Sequence, residues 1–371
     1  MFGGRRGVDV SRDRLIPGMI AALSSGAGLA LLSALLFGAS TPLAKVLLRD
    51  SDPWMLAGIL YLGSGLGLIS VRAVSRILDS GPRREAVIRG TGWTWLALAI
   101  LSGGVIGPVL LMAGLAHTPA TSASLLLNLE GVLTALLAWF VFKENFDRRI
   151  ALGMAAIVAG GLVLTWGGRL TLAAVSGPVM IAGACLAWAV DNNLTRKVSQ
   201  ADPVQIALLK GCVAGVVNVG IAFGLGSAFP SPGVLGAAAV VGFAGYGVSL
   251  VLFVVALRQI GTARTGAYFS LAPFFGGLVA VLVLGETVTV QIVAAGSLMG
   301  FGAWLHLTER HEHEHGHEEI GHEHRHVHDE HHRHSHDGSE PPGEPHTHWH
   351  VHVPLRHSHA HFPDIHHRHE H

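Results

Sequence analysis

Ten apolar stretches, each about the length that crosses a bilayer, occupy residues 26–307 and leave only short connections between them. A helix needs about 20 mostly apolar residues to span the hydrocarbon core. Backbone in lipid must satisfy its own hydrogen bonds, which leaves only helices and closed barrels as spanning structures. The stretches are continuous runs, without the alternation over about 10 residues that marks a barrel strand. The sequence therefore predicts an all-α polytopic membrane protein with ten transmembrane helices, near 26–48, 53–72, 93–116, 119–142, 149–167, 176–196, 203–226, 233–257, 262–284 and 288–307. Apolar residues run all round each predicted helix, so periodicity picks out no lipid face.

Only 13% of the 371 residues are charged, against about 25% in a soluble domain. The formal net charge is zero, so no overall field draws nucleic acid. The 48 glycines suit a bundle whose helix backbones approach closely. Cys185 and Cys212 fall inside predicted spans and read as small buried hydrophobes. Residues 1–17 are polar and Arg-containing with no small-residue cleavage site, so no removable leader is expected.

Cytoplasmic loops collect Lys and Arg. With the N-terminus inside, the inner segments hold sixteen such residues, among them Arg5, Arg72, Arg83, Lys143, Arg148, Arg196 and Arg258. The outer segments hold three, Lys45, Arg49 and Arg169. An even number of spans then returns the C-terminus to the inside. The expectation is an integral protein of the plasma (inner) membrane with both termini cytoplasmic.

The chain also repeats itself. Asp52-Pro53 opens the second span and Asp202-Pro203 opens the seventh, 150 residues later. Ala120 to Ser124 leads to Lys143-Glu144, and Thr262 to Gly266 leads to Gly285-Glu286, at an offset of 142. Each half thus contains five spans, and an odd number inverts the second half relative to the first. Inverted repeats are a recurrent plan for secondary transporters, because two oppositely oriented halves can exchange conformations and so exchange the open side. The predicted organisation is a cytoplasmic segment 1–25, a first five-helix repeat 26–167, a linker 168–175, a second repeat 176–307 and a tail 308–371.

On these residues the chain resembles the drug/metabolite transporter superfamily, in its EamA-type branch. The resemblance is carried by Leu36-Phe37-Gly38-Ala39-Ser40-Thr41-Pro42, by Phe142-Lys143-Glu144 and its repeat Leu284-Gly285-Glu286, by Ala256-Leu257 running to Gly261-Thr262-Ala263, and by Leu271-Ala272-Pro273. It covers about residues 26–307. It implies a ten-helix 5+5 bundle, cytoplasmic termini and, often, export of small organic solutes. Where the second half has Pro273 the first has Gly131 after Glu130, so a softer kink is expected there.

Ionisable groups at bilayer depth usually face a bundle interior. Glu130 lies near the middle of the fourth span, with Asn128 two residues earlier and so on another side of the helix. Glu130 is the candidate to carry a proton against substrate, or else a structural carboxyl. Asp191 and Asn192, with Asn193, follow Trp188 in the sixth span and can wall a cavity or bond helices together. Lys210, in the seventh, can snorkel to the surface, pair with Asp191 or Glu130, or meet an anionic substrate. Tyr246 and Tyr268 lie deep enough to line a cavity. Lys45 reads as an interfacial anchor and His117 as a structural surface residue. Trp93, Trp95, Trp139, Trp166 and Trp304 sit near span ends, as aromatic belts do. No nucleophile–base pair, phosphate-binding glycine loop or zinc-protease signature is present, so enzymatic activity is not expected.

Residues 308–371 contain 23 of the 25 histidines. They alternate as His311, His313, His315 and His317, then His322, His324, His326 and His328, then His331, His332, His334 and His336, with further runs to His371. Apolar residues there are too few for a core, so disorder is expected. Imidazole suits zinc, nickel and cobalt, and the tail is read as a binder of divalent metal.

Three functions compete. The first is a secondary transporter of small organic metabolites, an exporter, with a regulatory or buffering metal-binding tail and no required cofactor. The second is a divalent-metal transporter for nickel, cobalt or zinc, which the tail favours and the ligand-poor core opposes. The third is a membrane sensor, for which no signalling domain speaks. Membrane lipid, a small-molecule substrate and divalent metal ions are the expected partners, with a homodimer left open.

Overall fold

The computed structural model describes residues 25–78, 88, 90–142, 148–166, 172–198, 202–260, 262–308, 311–316, 320–326, 346–352 and 356–361. The first half runs α1 (Gly26–Leu47), α2 (Pro53–Leu78), α3 (Gly92–Ala99), a π-helical segment Ile100–Ile106, α4 (Gly107–His117), α5 (Ala120–Leu126), α6 (Leu129–Phe142) and α7 (Arg148–Thr165). The second runs α8 (Leu172–Thr195), α9 (Pro203–Gly224), α10 (Pro232–Gly242), a π-helical segment Phe243–Val248, α11 (Ser249–Ile260), α12 (Thr262–Phe269), α13 (Ala272–Leu284) and α14 (Val290–Leu307). Among the described residues, seven helical stretches are long and apolar enough to cross a membrane: Gly26–Leu47, Pro53–Val74, Gly92–His117, Ala120–Leu137, Arg148–Thr165, Val204–Gly224 and Pro232–Ala256. Ala272–Leu284 and Val290–Leu305 are shorter apolar helices.

Both halves follow one order of elements. Each has two long helices, a helix with a π segment inside it, a helix in two pieces, and a closing helix. The second member of each half starts on an aspartate cap. Asp52 Oδ1 accepts from the amides of Trp54 (2.9 Å) and Met55 (3.3 Å). Asp202 Oδ1 accepts from Val204 at 2.9 Å. In each case the carboxylate meets the partial positive charge of the helix start. Proline follows at the first helical position, where its missing N–H costs no hydrogen bond.

The split helices differ from the sequence expectation. A softer kink was expected in the first half, which lacks the proline. Instead both halves break, at Leu127-Asn128 and at Ser270-Leu271. The first break tightens into i→i−3 bonds, Leu127 to Ser124 and Asn128 to Leu125. The Asn128 side chain adds a bond to the Leu125 carbonyl at 2.9 Å. A short polar side chain that bonds nearby backbone offers an alternative to the helical ladder. Asparagine at the break thus serves where the second half uses Pro273, at the start of α13.

The halves interlock. α2 packs along α9 and α7 along α14. The first helix of each half packs on the π-interrupted helix of the other, α1 on α11 and α8 on α4. Ser33 and Ser249 lock α1 to α11 reciprocally, each hydroxyl donating to the other's carbonyl at 2.6 and 3.0 Å. Arg72 reaches Asp202 at 3.2 Å and ties α2 to the start of α9. Gly38 of α1 lies so close to Ala272 and Gly276 of α13 that any side chain there would strike α13 backbone. Trp93, Trp95, Trp139, Trp166 and Trp304 are all exposed. Cys185 is buried, Cys212 is partly buried and both are free thiols.

The described part of the tail runs as strands: β1 (His311–Gly316) with β4 (Arg356–His361), and β2 (Ile320–His326) with β3 (His346–His352), both antiparallel. His-x-His alternation has the period of a strand. The register sets His311, His313 and His315 opposite His361, His359 and His357. It sets His322, His324 and His326 opposite His350, His348 and His346. His317, His328, His331, His332, His334 and His336 lie outside the described residues, as do residues 1–24, Lys143, Glu144 and residues 168–171 of the linker.

Candidate functional site

The polar groups in the middle of the bundle gather where α8 faces α6, α9 and the first π segment. A π segment widens the helix by one residue and frees carbonyls that an α-helix would use. Buried free carbonyls must find donors, and three side chains supply them. Trp188 Nε1 and the Tyr61 hydroxyl both donate to the Gly103 carbonyl, each at 2.9 Å. Asn218 Nδ2 donates to the Gly104 carbonyl at 3.0 Å. Trp188 and Asn218 are buried. A glycine at 103 is required by approach as well, since any side chain there would collide with the Asp191 carboxylate.

Asp191 carries the densest contact. Its Oδ1 accepts from Lys210 Nζ at 2.5 Å and from the Thr195 hydroxyl at 2.8 Å. Lys210 also reaches the Thr195 hydroxyl at 2.8 Å. The side chains of Lys210 and Asp191 are 18% and 11% exposed. Of the alternatives the sequence left for Lys210, the structure has it paired with Asp191.

Glu130 stands one helix away. Its Oε1 accepts from Asn192 Nδ2 at 2.9 Å. Asn192 itself is exposed although it lies within α8. Thr134, one turn beyond Glu130, receives a second contact from Asn192 at 3.4 Å. Asn193 turns inward to the carbonyls of Ala189 (2.8 Å) and Thr134 (3.4 Å). Gly131 is exposed, and a Cβ placed on it would meet nothing within 4 Å. The wall around Glu130, Gly131 and Asn192 is therefore open. A carboxyl bonded to one neutral amide, next to open space, can bind a proton or a cationic group and release it again. No lysine or arginine pairs with it among the described ion pairs.

The other candidates fall elsewhere. Asn128 is buried against the Leu125 carbonyl and 4.0 Å from Met299 Sδ, facing away from Glu130. Tyr246 sits in an aromatic group, 5.5 Å from Tyr61 and 5.9 Å from Phe37 by ring centroids. Tyr268 is half-buried beside the break in the second split helix. Lys45 donates to the carbonyls of Leu115 and Ala116 at the end of α4, which closes that helix. His117 is exposed. Among the described residues, no group of three His, Cys, Asp or Glu stands close enough together to hold a metal ion.

Tyr61, Thr134 and Gly103 are site residues that sequence reasoning missed. A signal for the region was available. Phe37-Gly38-Ala39-Ser40 aligns with Trp188-Ala189-Val190-Asp191 at an offset of 151, and the two π segments at an offset near 142. Phe37 meets the second π segment through Tyr246, as Trp188 meets the first through Gly103. Ser40 faces Gly245 where Asp191 faces Gly103. The plan is shared, and only the second half places a charge in it.

Comparison with known proteins agrees with this architecture. The model of the EamA-like transporter family matches residues 24–166 and again 175–308. An uncharacterized transporter of Methanothermobacter thermautotrophicus is 30% identical over 281 residues, covering 72% of this chain and 82% of its own. A Salmonella typhimurium protein named as a probable amino-acid metabolite efflux pump is 30% identical over 179 residues, 47% of this chain and 54% of its own. A solved crystal structure superposes with a TM-score of 0.57 at 18% identity, over 76% of this chain and 95% of that one. That likeness concerns the fold alone.

Proposed function

Since the chain belongs to the EamA-like transporter family, we propose that it is a secondary transporter that exports small organic metabolites by alternating access, with Glu130 as the group that exchanges proton for cargo. The observation that carries this reading is the Glu130–Asn192 pair at 2.9 Å beside open space in the middle of the bundle. Lys210 and Asp191 neutralise each other next to it, so the accessible charge is that of Glu130 alone. A site of that kind favours a cargo bearing an amine or other cationic group, or a proton in its place. Trp188 and Tyr61, fixed by the Gly103 carbonyl, give the site an aromatic wall that suits organic cargo.

In this reading the chain crosses the inner membrane ten times as two inverted five-helix repeats, with both termini cytoplasmic. The helix order shared by the halves supports the repeat. The excess of Lys and Arg supports the orientation. The naming of a relative as a metabolite efflux pump supports export of organic solutes. The tail is a divalent-metal buffer for zinc, nickel or cobalt, and the registers that set histidine opposite histidine in both ribbons support it. A divalent-metal transporter is the second reading. It is disfavoured by the scarcity of ligands in the bundle, where the carboxylates of the site among the described residues are Glu130 and the already paired Asp191.

The experiment is untargeted metabolite profiling of the medium from cells producing the wild-type chain or Glu130→Gln at equal membrane levels. An amine-bearing metabolite that accumulates outside with the wild type and not with the variant is the expected result. Equal efflux by both, with unchanged dependence on external pH, rules out the role given to Glu130. Metal resistance that persists in a chain ending at Thr308 shifts the assignment to metal transport.

A further inference from the structure

The sealed counterpart of the open wall lies between α5 and α13. Thr118, Thr121 and Ser124 are 4%, 2% and 1% exposed, and their hydroxyls have no hydrogen-bond partner among the described residues. Thr121 and Ser124 are one turn apart on a single face of α5. Opposite them are glycines of α13. A Cβ on Gly276 would meet the Ser124 hydroxyl at 2.7 Å, and one on Gly277 would meet the Thr121 methyl at 3.7 Å. Thr118 faces Gly177 of α8 in the same way. Buried hydroxyls normally find a partner, and serine or threonine packed on glycine backbone gains nothing that alanine or valine would not give. A row of three demands another explanation.

One contact holds the seam shut. The Glu286 carboxylate, just past the end of α13, accepts from the amides of Ala120 (2.7 Å) and Thr121 (2.8 Å) at the start of α5. Gly285, at φ +65°, makes the left-handed turn that brings Glu286 there. Beside the seam, a shallow open groove of about 330 Å³ is lined by Thr121, Leu125, Phe274, Gly277 and Ile292. On the repeat-related side the helices stand apart. Gly131 of α6 and Gly266 of α12 both face open space.

We propose that the hydroxyl row of Thr121 and Ser124, continued by Thr118 beside α8, lines the second leg of the cargo path, with Thr121 and Ser124 closed off here by α13 and the seam latched by Glu286. Its ligand is the neutral, hydrogen-bonding part of the cargo, which meets these hydroxyls only when the seam parts. This rests on the alternating-access reading above and adds the location of the closed gate. Parting the seam hydrates the Thr121 and Ser124 hydroxyls, frees two α5 amides and closes the wall around Gly131.

The test uses thiol labelling in a Cys185→Ala/Cys212→Ala background with a membrane-impermeant maleimide. Ser124→Cys is probed from the outer face of intact cells, and Gly131→Cys from the inner face in inverted vesicles. With Glu286 intact, Ser124→Cys labels slowly and Gly131→Cys fast. Adding Glu286→Ala raises the first rate and lowers the second by about fivefold, the shift expected when a two-state element loses a pair of charge-assisted bonds. Glu286→Gln, which keeps one acceptor, falls between and guards against a folding artefact. If Gly131→Cys responds and Ser124→Cys does not, in protein that stays monodisperse, the hydroxyl row is not the path although access alternates. If neither responds, alternating access falls as well.

Discussion

The two pieces of the first split helix, α5 and α6, follow each other in one span and pack differently. Along α5 the polar groups are hydroxyls, dry and covered by glycines of α13. Along α6 they are Glu130 and Thr134, bonded to the exposed Asn192 and bordered by open space at Gly131. The break between them lets the two pieces take different neighbours. The proposed function explains why one piece is shut and uncharged while the next is open and acidic. A bundle that served merely as a scaffold would have no reason to bury unpartnered hydroxyls along one piece and set a half-buried carboxyl beside open space on the other.

The sharpest way to break the comparison is Glu130→Gln. The substitution keeps size and an acceptor for Asn192, yet removes the exchangeable charge. Efflux of the cargo identified by profiling should fall at least tenfold, on the order of the loss when a carboxyl that carries the proton is removed, while detergent-extracted protein keeps the wild-type melting temperature. Glu130→Asp should retain a measurable rate with a changed pH profile. A variant that melts earlier would make Glu130 a structural group instead.

Next in size is the pair that neutralises the neighbouring charge. Lys210→Met strands Asp191 beside Gly103, and breaking one side of a buried ion pair costs about 3–5 kcal/mol. Asp191→Asn strands Lys210 likewise. The double variant Lys210→Met/Asp191→Asn should recover most of that loss, because neither charge is then left alone. Thermal unfolding in detergent, followed by tryptophan fluorescence, measures all three. Additive losses in the double variant would show that the two side chains act separately and that the charge accounting around Glu130 needs revision.

Much of this architecture was legible in the sequence, and the reason is physical. Lipid imposes length and apolarity on each helix, so helix positions follow from composition alone. Aspartate-proline pairs marked the starts of α2 and α9 because the cap and the fixed φ act locally. Glu130, Asp191 and Lys210 stood out because charge at bilayer depth is rare. Partners were not legible. The choice of Lys210 between Asp191 and Glu130 depends on how α8 and α9 both pack on the first π segment, and the exposure of Asn192 depends on a gap between helices. Gly103 and Tyr61 escaped notice because their roles arise from a π segment, which leaves no composition signal. The break at Asn128 carries no proline to mark it, since there a side-chain amide interrupts the helix by local bonding.

A smaller effect tests the contacts that keep the halves together regardless of which side is open. The reciprocal Ser33–Ser249 bonds lie away from both the open wall and the sealed seam. Ser33→Ala or Ser249→Ala should each cost about 1 kcal/mol. Their double-mutant cycle should show coupling of about 0.5 kcal/mol or more, with efflux unchanged. A change in Gly131→Cys labelling on either substitution would move these serines into the gating machinery.

The smallest effect on the bundle is expected from the tail. A chain ending at Thr308 keeps the Thr308 hydroxyl that accepts from Arg149, and keeps Arg149 over the Trp304 ring at 5.6 Å, so the end of α14 stays fixed to α7. Ending one residue earlier would remove that acceptor and confuse loss of the tail with loss of an anchor. The shortened chain should melt within a degree or so of the full chain, since surface changes away from such contacts stay within about 0.5 kcal/mol. Zinc retention by purified protein, measured by atomic absorption after dialysis, should drop by most of its stoichiometry. Retention at the full-chain level would place the metal in the bundle, and the distinction between an organic cleft and a separate metal-binding tail would no longer hold.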